Sequence, residues 1–255
     1  MFMMRKSHED SAIGKEDKMS PRKTSIVLSG SVIQSYRGVL STGVNDPRER
    51  LCDYLCAIPL WLERPELDHV VYCDASGFRI PEEIFENDKF ESLSLDLRKL
   101  TLERGKGPSE SRTLQYVIET SPYLSENFYK CTGRLFVKNF GEIHSQIDHA
   151  AEFYVIQKTE GFHWADTRFY WLNRNYYRKQ IQPHLEENND YAWVNTEHIH
   201  YRYCSQWISM PGVSFVGRSG HDGAFYDEDF SIESREWAWN LMQRYDFFKT
   251  NKHKG

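Results

Sequence analysis

Three features that would assign a class at once are missing from this sequence: a long apolar run, a surplus of positive charge, and the short repeated spacing of cysteines and histidines that marks a metal site. No stretch offers the roughly 20 consecutive apolar residues that a membrane-crossing helix requires, and nothing ahead of the first strand has the apolar core of a secretory signal. The expected location is the cytoplasm, with peripheral contact at the inner face of the membrane as the one membrane role left open. A formal charge of -5, from 32 Lys and Arg against 37 Asp and Glu, excludes nucleic acid as the main partner, because a phosphate backbone selects a basic face. Any phosphate binding must be local. The five cysteines, Cys52, Cys56, Cys73, Cys131 and Cys204, are an odd number, which together with the missing signal reads as reduced thiols. Cys52 and Cys56 lie one helical turn apart in an apolar run, where small apolar packing explains them better than a metal or redox pair.

Several chemical signatures are absent too. There is no complete P-loop, no dinucleotide fingerprint and no internal repeat. Ser219, His221 and Asp222 are adjacent, but without a Gly-x-Ser-x-Gly elbow adjacency does not make a hydrolase triad. His198 and His200, with His163 or His221, stand as an alternative zinc set, yet the ten histidines lack the short repeated spacing of such sites.

What the chain has is core-forming material in an alternating pattern. Hydrophobic residues are 40% of its 255 and aromatics 15%, enough for an ordered domain with a sizeable core. Residues 1–22 are polar, charged and aperiodic and are expected to form a disordered tail, followed by one domain over 23–249 and a short tail over 250–255. Thr24–Ile33 reads as a buried strand running into a Ser/Gly loop, and Asp46-Pro47 as the cap and first residue of a helix. Leu51, Tyr54, Leu55, Ile58 and Leu62 recur at helical spacing, and His69–Cys73 is a second strand ending in a turn. Strand, helix, strand points to an α/β domain with a mostly parallel central sheet flanked by helices. Phe90–Leu97 predicts a third strand, Arg112–Thr120 a helix, and Asn127–Asn139 two extended pieces around a Thr-Gly turn. Phe153–Gln157 and Thr167–Trp171 predict later strands, and Ile232–Phe248 a terminal helix. That helix carries Trp237 and Trp239; docking on the sheet and contact with a membrane are its two readings.

Candidate site residues fall at strand ends and turns. Arg104-Gly105-Lys106-Gly107 is a glycine-bearing basic loop ahead of a helix, where backbone N–H groups and Lys106 suit a phosphate. Period 2 puts Lys130, Thr132 and Arg134 on one side of an extended chain, two cations and a hydroxyl able to neutralise a diphosphate; a strand edge made soluble by charge is the alternative. Asp74 and Asp166 are placed to hold a metal or a ribose hydroxyl, although Asp166 can equally pair with Arg168. Glu197 is a candidate general base at a strand or helix start, and Gly217–Gly223 a loop able to close over a ligand.

Taken in order, TSIVLSGSV, DPRERLCDYLCAIPLW, VVYCDASGF, GKGPSESRTLQYVI, FYKCTGRLFVKNF, ADTRFYWLN and TEHIHYRY resemble bacterial glycosyltransferases of capsule and lipopolysaccharide synthesis, with the nucleotide-sugar-binding GT-A type of fold. The resemblance covers roughly residues 24–226. It implies a nucleotide-sugar donor near Ser29, Gly30, Asp74 and Ser76, with its phosphates near Lys106, Lys130, Thr132 and Arg134. Asp166, Arg168 and Glu197 would then face the reaction centre and a saccharide or lipid-linked saccharide acceptor. Enzymes of this fold usually present an Asp-x-Asp pair to Mn²⁺ or Mg²⁺. Here Asp74-Ala75-Ser76 has one carboxylate and Thr132-Gly133-Arg134 none, so either Asp74 binds the metal with a distant carboxylate, or Lys130 and Arg134 replace it. A non-catalytic nucleotide- or carbohydrate-binding partner in an assembly complex is the other function the same fold supports.

Overall fold

The computed structural model describes residues 24–34, 46–155, 158–159, 161, 163–204, 206–207, 212–218 and 228–250. The stretches expected as tails, 1–22 and 250–255, lie outside these apart from Thr250, as do positions 219–223 of the glycine-rich loop. The first half of the chain alternates as its pattern predicts: β1 (Thr24–Gly30), α1 (Pro47–Leu62), β2 (Leu67–Asp74), β3 (Phe90–Ser94), α2 (Arg98–Arg104), α3 (Lys106–Thr120) and β4 (Asn127–Thr132). Then come β5 (Leu135–Val137), α4 (Phe140–Gln146), β6 (Phe153–Val155), β7 (Lys158–Thr159), β8 (Trp164–Ala165), β9 (Phe169–Asn173), the short α5 (Arg174–Tyr176) and α6 (Thr196–Tyr203). The described elements end with β10 (Gln206–Trp207), β11 (Phe215–Gly217), α7 (Ile232–Tyr245) and α8 (Phe247–Thr250).

Seven strands form one sheet in the order β10-β6-β9-β4-β1-β2-β3. β4, β1, β2 and β3 are mutually parallel, whereas β9 runs antiparallel to both β4 and β6. Side chains alternate between the two faces. Ile26, Leu28, Val70, Tyr72, Tyr129 and Cys131 pack with α1 on one face, and Val27, Val71 and Phe128 with Leu114, Val117 and Ile118 of α3 on the other. The α1 side is the more aromatic. There Trp61 is fully buried, its indole N–H donates to Leu135 O at 2.9 Å, and Phe136 and Phe140 meet it edge-on at 5.0 and 5.2 Å. All five cysteines are free thiols.

Asp46 caps α1 as expected, its side chain accepting from Arg48 N at 2.8 Å, with Pro47 in the first turn. Other boundaries move for physical reasons. The basic Gly-Lys-Gly stretch is not a loop: only Gly105 leaves helical geometry, at φ +102°, and α3 begins at Lys106, six residues earlier than its apolar spacing predicts. Gly107 and Pro108 are tolerated because first-turn N–H groups have no partner within the helix. α4 has no counterpart in the sequence-based expectation. The terminal helix stops at Tyr245 because Asp246 turns left-handed at φ +39°, after which Phe247 is buried against Phe78, ring centroids 6.4 Å apart. α7 docks on α1 through Ala238 and Leu241 rather than on the sheet, and Trp237 stays 42% exposed. Among the described residues no helix is long and apolar enough to cross a membrane.

Candidate active site

The order β3-β2-β1-β4 reverses between β1 and β4, since the chain leaves β1 through α1 to one side and reaches β4 through α3 from the other. Two connections that diverge over neighbouring strand ends leave a crevice at those ends, where open α/β sheets bind ligands. A pocket occupies that place. Ser29, Gly30 and Ser31 line it from the end of β1, Arg50 and Tyr54 from α1, and Lys106, Ser109 and Glu110 from the start of α3. Thr132 and Arg134 line it from the β4–β5 turn.

The backbone frame is tight. Gly133 N donates to Ser29 O at 2.8 Å, and a Cβ on Gly133 would stand 2.9 Å from that same oxygen and 3.1 Å from the Tyr54 ring. Glycine is required at the centre of Thr132-Gly133-Arg134 because two strand ends and a ring meet there. Gly133→Ala is expected to push the turn off β1 and cost about 1–3 kcal/mol by overpacking, measured as a lowered denaturant midpoint; an unchanged midpoint would show that the turn has room.

The cations are held from behind. Arg50 Nε donates to Ser31 O at 2.7 Å, and Tyr54 OH accepts from Ser31 N at 2.8 Å and from Arg50 Nη2 at 3.3 Å, which stitches the loop after β1 to α1. Arg134 is buried beside Asp53, with Nη1 3.5 Å from the carboxylate. Asp53, itself fully buried, also faces Arg235 at 3.2 Å and Arg218 at 3.8 Å. Burial raises its pKa and the three guanidiniums lower it. Burial and the neighbouring Arg50 charge lower that of Arg134.

A second charge cluster lies toward α6. Glu110 accepts from Ser29 Oγ at 2.9 Å and from Lys130, whose ammonium also donates to Thr167 O at 2.8 Å. Burial works against the Glu110 carboxylate, but Lys130 and Lys106 hold it ionised, down to about 2. Glu197 sits in the first turn of α6, within reach of the Thr167 hydroxyl at 3.3 Å. Desolvation pushes its carboxyl up to about 7, with Glu110 and Asp190 adding to the rise and Lys106 opposing it. Two carboxylates that share the field of one lysine have thus been driven apart, a signature of acid–base sites.

The expected site residues divide accordingly. Ser29, Gly30, Lys106, Thr132 and Arg134 come together at the pocket. Lys130 does not reach its wall: the strand alternation that puts Lys130 and Thr132 on the α3 face ends at Gly133, and Arg134 turns toward α1. Lys130 instead neutralises Glu110 from below. The amide cradle expected at Lys106-Gly107 is already filled, since Gly107 N donates to Asp190 Oδ2 at 2.8 Å. Asp166 and Arg168 form the closed pair that their spacing allows, Arg168 Nε lying 2.9 and 2.8 Å from the two carboxylate oxygens and the guanidinium over the Phe215 ring. Neither lines the pocket.

Asp74 is corrected outright. It is fully buried, and its carboxylate accepts from Ser76 N and Oγ, Phe78 N, Val32 N and Tyr72 OH at 2.5–3.2 Å. It braces the ends of β1 and β2, and Ser76 is one of the donors satisfying it, so neither is presented to a metal or a donor nucleotide. His200 is buried with Nδ1 2.9 Å from Thr196 O, His198 meets Trp164, and His163 meets Tyr201. Among the described residues no three of His, Cys, Asp or Glu converge to hold a metal.

Arg50, Tyr54, Glu110 and Asp190 escaped sequence reasoning. A faint signal existed for two pairs: Arg50 and Tyr54 are one turn apart on the buried face of α1, and Lys106 and Glu110 are one turn apart on α3. Nothing local pointed to Asp190.

Fold and site together define an α/β protein with a cation-lined pocket at the switch point of an open, mostly parallel sheet. No protein-family model matches the chain, and no curated protein matches it in sequence. Among solved structures it is similar to the glycosyltransferase GlyE of Streptococcus pneumoniae TIGR4, at 10% identity and a TM-score of 0.45 over 74% of this chain and 45% of that one. It is similar to the galactosyltransferase LgtC in complex with donor and acceptor sugar analogues, at 9% identity and a TM-score of 0.44 over 72% of each chain. It is also similar to the inositol-1-phosphate CTP transferase from T. maritima, at 11% identity and a TM-score of 0.49 over 87% of this chain and 97% of that one. The chain spans about half the length of the GlyE chain, 45%.

Proposed function

We propose that this protein is a nucleotide-sugar-dependent glycosyltransferase that moves a sugar to a hydroxyl of a saccharide acceptor, free or lipid-linked, in surface polysaccharide synthesis. The observation that carries the reading is the pocket itself: Arg50, Lys106 and Arg134 converge on the ends of β1 and β4, with the Glu197 carboxyl nearby and its pKa at about 7. In this reading the donor's phosphates face the three cations and its anomeric carbon points toward α6.

The reaction is a displacement. The acceptor oxygen forms a bond to the anomeric carbon and gives its proton to the Glu197 carboxylate; the bond from that carbon to the donor phosphate oxygen breaks, and its electron pair leaves with the nucleoside diphosphate. Cations already fixed around the position of the developing charge lower the barrier without reorganising, and a base with a pKa near the working pH combines availability with basicity.

A panel of nucleoside diphosphates, monophosphates and nucleotide sugars, each with and without Mn²⁺, tests the reading by thermal shift, since a ligand that binds only the native state raises its stability. One nucleotide family is expected to stabilise the protein selectively, and its sugar form to be consumed when saccharide acceptors are added. Consumption of a nucleoside triphosphate with a sugar phosphate would instead make it a nucleotidyltransferase. Stabilisation by saccharides alone would make it a carbohydrate-binding module.

A further inference from the structure

The described pocket has the wrong donor set for a hard divalent cation. Mg²⁺ and Mn²⁺ are held by carboxylates and other oxygens, and the lining contributes one carboxylate, Glu110, against Arg50, Lys106 and Arg134. Glu110 is already engaged, bonded to Ser29 Oγ and Lys130. Asp74, a carboxylate at the end of β2 beside β1, is turned inward and saturated by five hydrogen bonds. At the β4 end Gly133 is pinned against Ser29 O, and the residues that line the pocket there are Thr132 and Arg134, neither of them a carboxylate.

We infer that the pocket takes the diphosphate of its ligand directly on Arg50, Arg134 and Lys106, with no divalent cation between. The inference rests on the reading of the pocket as a nucleotide-sugar site and names the group that neutralises the leaving phosphate. The supporting structure is built for it. Arg50 is fixed by Ser31 O and Tyr54 OH, so its charge is positioned before any ligand arrives. Arg134 is buried against Asp53, which fixes its position in the wall; that carboxylate is shared with Arg218 and Arg235, which have Glu49 and Asp229 as further partners. Lys130 neutralises Glu110, the carboxylate among the lining residues, from beneath. Arg50 and Arg134 repel each other across the wall, and a dianion between them relieves that repulsion.

Titration with inorganic pyrophosphate and with the nucleoside diphosphate selected by the panel, in EDTA and in Mn²⁺ or Mg²⁺, tests the inference by thermal shift and calorimetry. Binding in EDTA within about threefold of that in metal is expected. Lys106→Met and Arg50→Gln should each weaken pyrophosphate about 10-fold or more, the usual worth of a charged hydrogen bond, with a single cooperative unliganded melting transition in each variant as proof of folding. Binding that appears only with metal overturns the inference and leaves the glycosyltransferase reading standing. Metal-free pyrophosphate binding without turnover of any nucleotide sugar upholds the anion site and removes that reading. No stabilisation by pyrophosphate or nucleoside diphosphate under either condition overturns the inference itself.

Discussion

Glu197→Gln is expected to lower sugar transfer by at least about 100-fold, the lower end of what a positioned general base contributes, while donor affinity stays within a few fold. The isostere keeps the Thr167 contact and removes only the capacity to take a proton. The pH profile gives the sharper readout. Because burial raises the Glu197 carboxyl to about 7, the carboxylate form dominates only above that value, so kcat/KM of the wild type should fall tenfold per unit as pH drops below about 7 and level off above it. A group with a raised folded-state pKa also costs stability as pH rises from its ordinary value of 4.5 through about 7. The variant lacks that cost and should melt no lower than the wild type at pH 8, which separates lost chemistry from lost folding. Full transfer by the variant would remove Glu197 as the base, and loss of donor binding along with transfer would make it a ligand-positioning group.

Lys130→Met is expected to destabilise the fold by about 3 kcal/mol, because it strands the Glu110 carboxylate in a site where its side chain is only 17% exposed. For a domain of this size that is a drop in melting temperature of roughly 10 °C. The wild type carries the matching pH signature. Glu110 is depressed from 4.5 to about 2, so its contribution is complete above 4.5 and disappears as pH falls from there through about 2. That acid loss should be blunted in Lys130→Met, whose Glu110 no longer has its main counter-charge. Adding Glu110→Gln to Lys130→Met should recover most of the stability, since removing both charges leaves nothing uncompensated. A Lys130→Met protein as stable as wild type would show that water, not Lys130, solvates Glu110.

The difference between these predictions follows from where information about the site resides. Ser29, Gly30, Thr132 and Arg134 were legible because strand ends can be read from local apolar runs followed by turn residues, and a parallel sheet puts those ends on one edge. Lys130 was placed with the right neighbours and given the wrong task. Its alternation with Thr132 is a local property, whereas its partner Glu110 comes from a helix 20 residues earlier. Asp74 was misplaced for a related reason: a strand-terminal aspartate looks the same in sequence whether it faces a ligand or five internal donors. The choice is made by Val32, Tyr72 and Phe78, which the fold brings around it.

Alternation of short β-branched runs with helical periodicity was sufficient by itself to determine an α/β domain with a parallel sheet core, because strand and helix periods of 2.0 and 3.6 can be read within a few residues. The balance of 32 basic against 37 acidic residues likewise requires any phosphate binding to be confined to a local patch. Which charges gather at the pocket was decided only by tertiary structure. The crossing of the chain between β1 and β4 aligned Arg50 and Lys106 with Arg134, buried Lys130 against Glu110 and desolvated Glu197. Burial and long-range charge pairing depend on every element around a group, and no local window of sequence contains them.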